Sequence, residues 1–455
     1  MTIRTPSIII AAVALFICIS SVDAQKACYE KARKDAISSY NAEDYEMAMS
    51  ALMVAVRCSD CPAKNDLSAW IKKVKDKLPS PEKASGYTFG GDNGEEARDI
   101  LQYDDGSFYI LGRTNSYGSG EDDIYLIKTN KSGKKRWEKT YGGKAPDYAS
   151  RIIKTKDNKL LICGSTGNFN AISENIYLIK IDTSGTILWQ FNYGGNFLDY
   201  GNSVIQDADG GYTVIGQSSS FGNDKDVSGA TKDDIYIIKV DKDGKLLWQQ
   251  NYGSANEDLG ADIAPFAKGG WYALSTVNTV DKGWELNLMK LDKTGKKTSE
   301  KNYGGAGWDY GVAMVSLPND NFVIGGTTSS MGAGGSDMWL FKLDATGKVL
   351  WSKVYGGAQN EELSRIVKVK DGGFLLVGST ESSGSGESDM YIVRVMSNGV
   401  MSWQKTFGGK KNDYGISAVA LSDGGFAIIG YSESFSSWES DIWLIFVDSK
   451  GNLRK

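Results

Sequence analysis

Seven acids recur at one position of this 455-residue chain: Glu95, Asp147, Asp199, Asp258, Asp309, Glu361 and Asp413, each five residues after a glycine that follows Tyr or Phe. A ring of carboxylates could hold cations, and a pair set about 5–10 Å apart could hydrolyse a glycosidic bond. An acid present in every repeat reads first as part of the repeat, because a carboxylate in a connecting loop accepts backbone N–H bonds and fixes the next strand. The same reading covers Asp123, Asn175, Asp234, Asp337, Asp389 and Asp441, each at the head of a later strand. The turn Asp241-Lys242-Asp243-Gly244 has Tyr252 where an EF-hand needs glutamate, so it is not a calcium loop. Histidine is absent. That removes Ser-His-Asp and Cys-His nucleophiles, imidazole metal sites and histidine acid–base work. Cys58 and Cys61 lack the two further ligands that zinc requires. The sequence assigns no catalytic residue, no metal site and no cofactor.

The elements that carry these acids repeat with a period near 52. Phe89-Gly90, Tyr141-Gly142, Tyr193-Gly194, Tyr252-Gly253, Tyr303-Gly304, Tyr355-Gly356 and Phe407-Gly408 mark seven units. Each unit reads as four short strands rich in Ile, Val, Tyr and Trp, parted by turns such as Asp209-Gly210-Gly211. Four strands per 40–50 residues is the pattern of a β-propeller blade, so residues 84–455 are expected to form a seven-bladed propeller. The C-terminus stops before a last Trp strand, and Ser85–Phe89 aligns with the missing piece. That strand is expected to complete the final blade beside Asp441–Val447 and leave no open edge.

Two resemblances follow from particular residues. Leu343-Asp344-Ala345-Thr346-Gly347-Lys348-Val349-Leu350-Trp351, with Asp182–Trp189 and Asp241–Trp248, resembles the repeat element of quinoprotein-like (PQQ-like) propellers. The resemblance covers about 370 residues. It implies that each Trp packs between neighbouring blades. The family's quinone enzymes use eight blades and adjacent cysteines, which this chain lacks, so no quinone is implied. The repeat style also looks like that of Gram-negative envelope propellers. Residues 25–78 read as helices over Ala27–Tyr40, Tyr45–Arg57 and Asp66–Leu78, before a linker at 79–83. Tyr40, Asp44, Tyr45, Ala48, Leu52 and Ala55 resemble a single tetratricopeptide repeat, with Glu43 in place of the usual turn glycine.

Met1–Ala24 reads as a secretory signal, with Arg4, an apolar run from Ile8 to Ile19, and Val22 and Ala24 before the cut. The protein is therefore expected to be secreted or periplasmic, with no membrane span once the signal is cleaved. An oxidising compartment would let Cys28 pair with Cys58 or Cys61, while Cys163, in an apolar strand, stays a buried thiol. Residues 25–83 carry 11 basic and 9 acidic groups, so the net −5 of the chain rests on the propeller, and nucleic acid is not an expected partner.

Function in a symmetric ring is expected where the repeat breaks. The loop between second and third strands lengthens in the third blade, from Gln217 to Asp234, and carries Phe221, Asp224 and Asp226. In the fourth blade Ser275 and Ser299 replace a glycine and a Trp, and Trp271 and Trp284 are added. Trp308, Tyr310 and Trp438 belong to the same loop face, with Trp284, in the shortest loop, as the expected anchor. Exposed aromatics rimmed by acids suit protein or glycan binding. The expected role is a non-enzymatic scaffold that binds another envelope or secreted protein. The alternative is a carbohydrate-active hydrolase or lyase, or a glycan-binding propeller. A lone inward carboxylate pair in one or two blades, beside basic residues, would favour the enzyme.

Overall fold

The alternation of apolar strands and Gly-Asp turns folds as the repeat demands. A computed structural model describes residues 22–42 and 86–454, apart from 170, 172, 223–231, 437 and 438; between 42 and 86 it describes only Ala48, Leu52, Trp70, Lys73 and Val74. The chain divides into two compact units, 1–80 and 81–455.

In the first unit a helix, α1, runs Val22–Asn41, against the Ala27–Tyr40 read from the sequence. Tyr29, Ala32 and Ala36 are buried at helical spacing along it. Ala48, Leu52 and Val74 are also buried, and Trp70 meets Tyr40 edge-on at 5.5 Å. α1 is the one complete α-helix among the described residues, so a tetratricopeptide-like domain is not established. The side chain of Cys28, with Cys58 and Cys61, lies outside the described residues, and so does their expected disulfide.

The second unit is mainly β: seven four-stranded antiparallel sheets that form a seven-bladed propeller. Six blades, 95–141, 147–193, 199–252, 258–303, 309–355 and 361–407, each use four consecutive strands, ordered from the innermost outwards. The seventh takes Asp413–Ala420, Phe426–Ser432 and Asp441–Val447, and its outer strand is Tyr87–Phe89. Tyr87 stands opposite Leu444, Thr88 opposite Trp443 and Phe89 opposite Ile442. The last blade is thus closed from the N-terminal side.

The core lies between blades rather than at a single centre. Tyr109, Leu111, Ile124 and Leu126 of the first blade bury against Ile152, Leu160, Ile162 and Tyr177 of the second. The outer strands add a wedge at most seams. Trp137, Trp189, Trp248, Trp351 and Trp403 each lie against a turn glycine of the next blade, Gly185, Gly244, Gly295, Gly399 and Gly451. Tyr87 takes that place against Gly133 where the ring closes. At the fourth-to-fifth seam the position is Ser299, and the Gly347 carbonyl accepts from the Tyr303 hydroxyl at 2.8 Å and from Lys301 Nζ at 3.0 Å.

Candidate functional site

The seven recurrent acids are fully buried and already occupied. Each accepts the backbone N–H of the residue four before it, from Gly91, Gly143, Gly195, Ser254, Gly305, Gly357 and Gly409, at 2.5–2.8 Å. Most also take a hydroxyl, as Glu95 does from Thr114 and Glu361 from Thr380, both at 2.5 Å. The acids at the head of the third strand hold the preceding loop in the same way: Asp389 accepts Ser385 N–H at 2.8 Å and Gly386 N–H at 3.0 Å. The two kinds of acid meet at the blade seams. A Cβ on Gly408 would collide with the carboxylates of both Asp389 and Asp413, which is why that position is glycine. Burial pushes both acids above the ordinary carboxylate range, and in Asp413 the neighbouring charge of Asp389 adds to it. These acids hold loops.

The inner strands bring together a second set of charges that the repeat pattern did not reveal. Asp99 of the first blade is buried and accepts Arg365 of the sixth at 3.0 Å and Ser417 of the seventh at 2.9 Å. Arg151 of the second blade lies 3.5 Å away, and Ile152 N–H donates at 3.2 Å. Asp262 of the fourth blade repeats the pattern without a cation: Ser203 donates at 2.7 Å and Met314 N–H at 2.9 Å. These groups stand at matching positions of the inner strands, where the other blades carry Ser203, Ala313 and Ser417. A charge among small residues is the sequence signal that could have found them. They meet the stated pattern for an enzyme in type and number, yet the oxygens of Asp99 are taken by groups of the second, sixth and seventh blades.

The broken repeats fare differently from one another. Phe221 is half-buried and packs on Tyr236, with ring centroids 5.2 Å apart, so it closes the third blade rather than standing free. Asp224, Asp226 and Trp438 lie outside the described residues. Trp271, counted in the sequence as an added surface aromatic, is core: it is buried, meets Trp248 edge-on at 5.6 Å and donates Nε1–H to Asp207 at 2.8 Å. Cys163 is a free, buried cysteine, and burial pushes its thiol up to about 12.

Trp284, Trp308 and Tyr310 do come together. Trp284 is not in a loop. The second and third strands of the fourth blade extend to Trp271–Thr279 and Gly283–Leu291, so Trp284 is a strand residue paired with Asn278. Its ring lies 5.9 Å from that of Tyr310 across the seam to the fifth blade. The tight turn that results changes what covers the next crossing. In the first, fifth and sixth blades, Gly120, Gly334 and Gly386 press on the carbonyls of Gly143, Gln359 and Lys411, closing the chain crossing to the following blade. The fourth blade lacks such a loop. Its crossing is left open as a shallow depression of about 560 Å³ lined by Asp281, Lys282, Gly283, Gly305, Ala306 and Trp308. Trp308 is 61% exposed and Val280, at the turn, 91%. Lys282 leans on the buried Glu285 at 3.1 Å. An exposed indole in an open depression can anchor a partner; it offers no nucleophile.

No protein-family profile matches the chain. Among curated proteins it is similar to the regulatory protein FlaEY of Caulobacter vibrioides, 24% identical over 401 residues that cover 70% of this chain and 41% of that protein. The chain thus matches less than half the length of that relative. Among solved structures, puromycin hydrolase aligns with a TM-score of 0.51 at 11% identity, over 83% of this chain and 56% of that one. The WD40 domain of Neurospora crassa Pan2 aligns at a TM-score of 0.46 and 11% identity, over 79% of this chain and 89% of that domain. Likeness at this identity concerns the fold alone.

Proposed function

We propose that this protein is a non-enzymatic binding or scaffold propeller that holds a protein partner on its loop face, at the seam between the fourth and fifth blades. The observation that carries the reading is the missing cover: one shortened loop leaves Trp308 exposed in a depression beside the Trp284–Tyr310 pair. Anchors of this kind are large aromatics set among neighbours that exclude water. The seven seam acids and Asp99 support binding over catalysis, since each has a carboxylate oxygen that accepts a backbone N–H group of the fold. The signal-like Met1–Ala24 agrees with a partner in the envelope or outside the cell, and the tetratricopeptide-like reading of 25–78 would add a second docking surface. The likeness to a protein named as regulatory agrees with a role in assembly or control.

Trp308→Ala, made with Trp284→Ala, tests this. An aromatic anchor typically costs 2 kcal/mol or more when truncated, roughly a thirtyfold loss of affinity. Pull-down of the native partner should fail while circular dichroism and melting stay as in the wild type. Undiminished capture by the double variant would move the site elsewhere on the face. A second reading rests on the inner-strand acids Asp99, beside Arg151 and Arg365, and Asp262, which has no cation beside it. A polysaccharide-cleaving activity that disappears in Asp262→Asn would replace the scaffold with a carbohydrate-active enzyme.

A further inference from the structure

The face opposite the loops carries the turns, and its outer rim has an unusual make-up. Nine of the 18 exposed large apolar side chains among the described residues lie where the turns lead into the outer strands. Ile187 with Leu188, Leu246 with Leu247, and Val349 with Leu350 occupy the same two positions in the second, third and fifth blades, each 39–54% exposed. In the sixth blade Met396, Val400 and Met401 take over, at 44–47%. In the first and fourth blades the same positions hold Lys135-Arg136 and Lys297-Thr298. Folding does not require these apolar groups, because the first and fourth blades close without them.

The charge of the rim is opposite to that of the whole. Its seven turns contain 12 Lys and Arg against 6 Asp, in a chain of net charge −5. Asp182, Asp241, Asp292, Asp344 and Asp448 accept N–H groups of their own turns. Of the acids of the neighbouring inner turns, Asp104 pairs with Lys154, Asp157 with Lys180, Asp207 and Asp209 with Lys239, Asp371 with Arg394, and Asp423 with Arg454, while Asp105 and Asp320 accept backbone N–H groups. The turns of the rim thus hold an excess of cations beside exposed apolar groups, with Lys135, Lys242 and Lys297 paired to Glu138, Asp243 and Glu300.

We propose that this rim seats the propeller on an anionic lipid surface. The apolar pairs stand on separate blades around the ring, all at one level, so a partner that covers them together must be broad and flat. A bilayer meets that condition. Short aliphatic side chains entering the headgroup region, with lysines beside anionic lipid, is the chemistry of reversible interfacial attachment. Each Lys or Arg near such a surface contributes an attraction that salt screens. No described helix is long and apolar enough to cross a membrane, and attachment by the rim needs none.

Co-sedimentation with vesicles tests the proposal, using phosphatidylcholine alone and phosphatidylcholine with 30% phosphatidylserine. The protein should pellet with the anionic vesicles at 0.1 M salt, at least tenfold less with neutral ones, and be released by 0.5 M salt. The quadruple variant Leu188→Ser, Leu247→Ser, Leu350→Ser and Met401→Ser should lose binding at least tenfold. Lys135→Glu with Arg136→Glu and Lys297→Glu should lose it as far, with an unchanged melting curve. No pelleting with anionic vesicles overturns the proposal. So does equal pelleting of the variants, or a self-association in light scattering that the apolar variant abolishes, which would make a second copy the occupant.

Discussion

Asp389 and Asp413, pressed against Gly408, set a pH dependence for the ring. Burial holds both acids above their ordinary range, as it does Glu95, Asp147 and Asp199 at other seams. A folded acid with a raised pKa binds its proton more tightly than the unfolded chain does. Its stabilising effect is therefore full below the unfolded value of about 4 and is lost as pH rises through the folded value. The opposite holds for Asp423, which the guanidinium of Arg454 brings down to about 2; it stabilises above pH 4 and loses that effect as pH falls towards 2. Together these give a fold firmest in mild acid. The melting temperature should be higher at pH 5 than at pH 8, and Asp389→Asn should narrow the difference by on the order of 2 °C. An unchanged difference in the variant would mean that these acids titrate normally. The role of the seam acids was legible in the sequence, because a residue repeated in all seven units serves the unit. Trp271 was not, since its partner Asp207 lies 64 residues away and nothing local distinguishes a buried indole from an exposed one.

Among the elements, the strand Tyr87–Phe89 does work out of proportion to its length. Three residues pair with Ile442–Leu444 and bury Phe89 against the seventh and first blades. Without them the strand Asp441–Val447 would present a hydrophobic edge with unpaired backbone groups. Deletion of 84–91 should lower the melting temperature or cause aggregation; a truncated protein that melts like the full chain would show another closure. The pairing could be read from the sequence because the aromatic-Gly landmark recurs at Phe89 with no strands of its own before it. The fourth blade was legible only as an irregularity. Strand extension turned its short loop into a hairpin, and the open crossing at Trp308 follows from packing against a neighbouring repeat, which periodicity within one repeat does not contain.

For the molecule as a whole, the ring has two sets of fastenings: hydrophobic seams between neighbours, and the bonds of Asp99, which join the first blade to the second, sixth and seventh. The latter bridge 266 and 318 residues of sequence, a separation at which no motif exists to be found. The seams are not equal. Five carry a tryptophan wedge and one carries Tyr87, but where the fourth meets the fifth the wedge position is Ser299, and the seam rests on Tyr272, Tyr303, Phe322 and Phe341. Ser299→Trp should fill the gap and raise stability by about 0.5–2 kcal/mol, measured by chemical denaturation; no gain would mean that the seam is tight already. A hoop under strain parts at its weakest weld, and thermal motion probes every weld at once. The first crack in this hoop should therefore run between the fourth and fifth blades, under the depression that exposes Trp308. Whatever settles across that depression is fixed to both lips of the crack, so it would act as a rivet and the hoop would report its arrival as toughness.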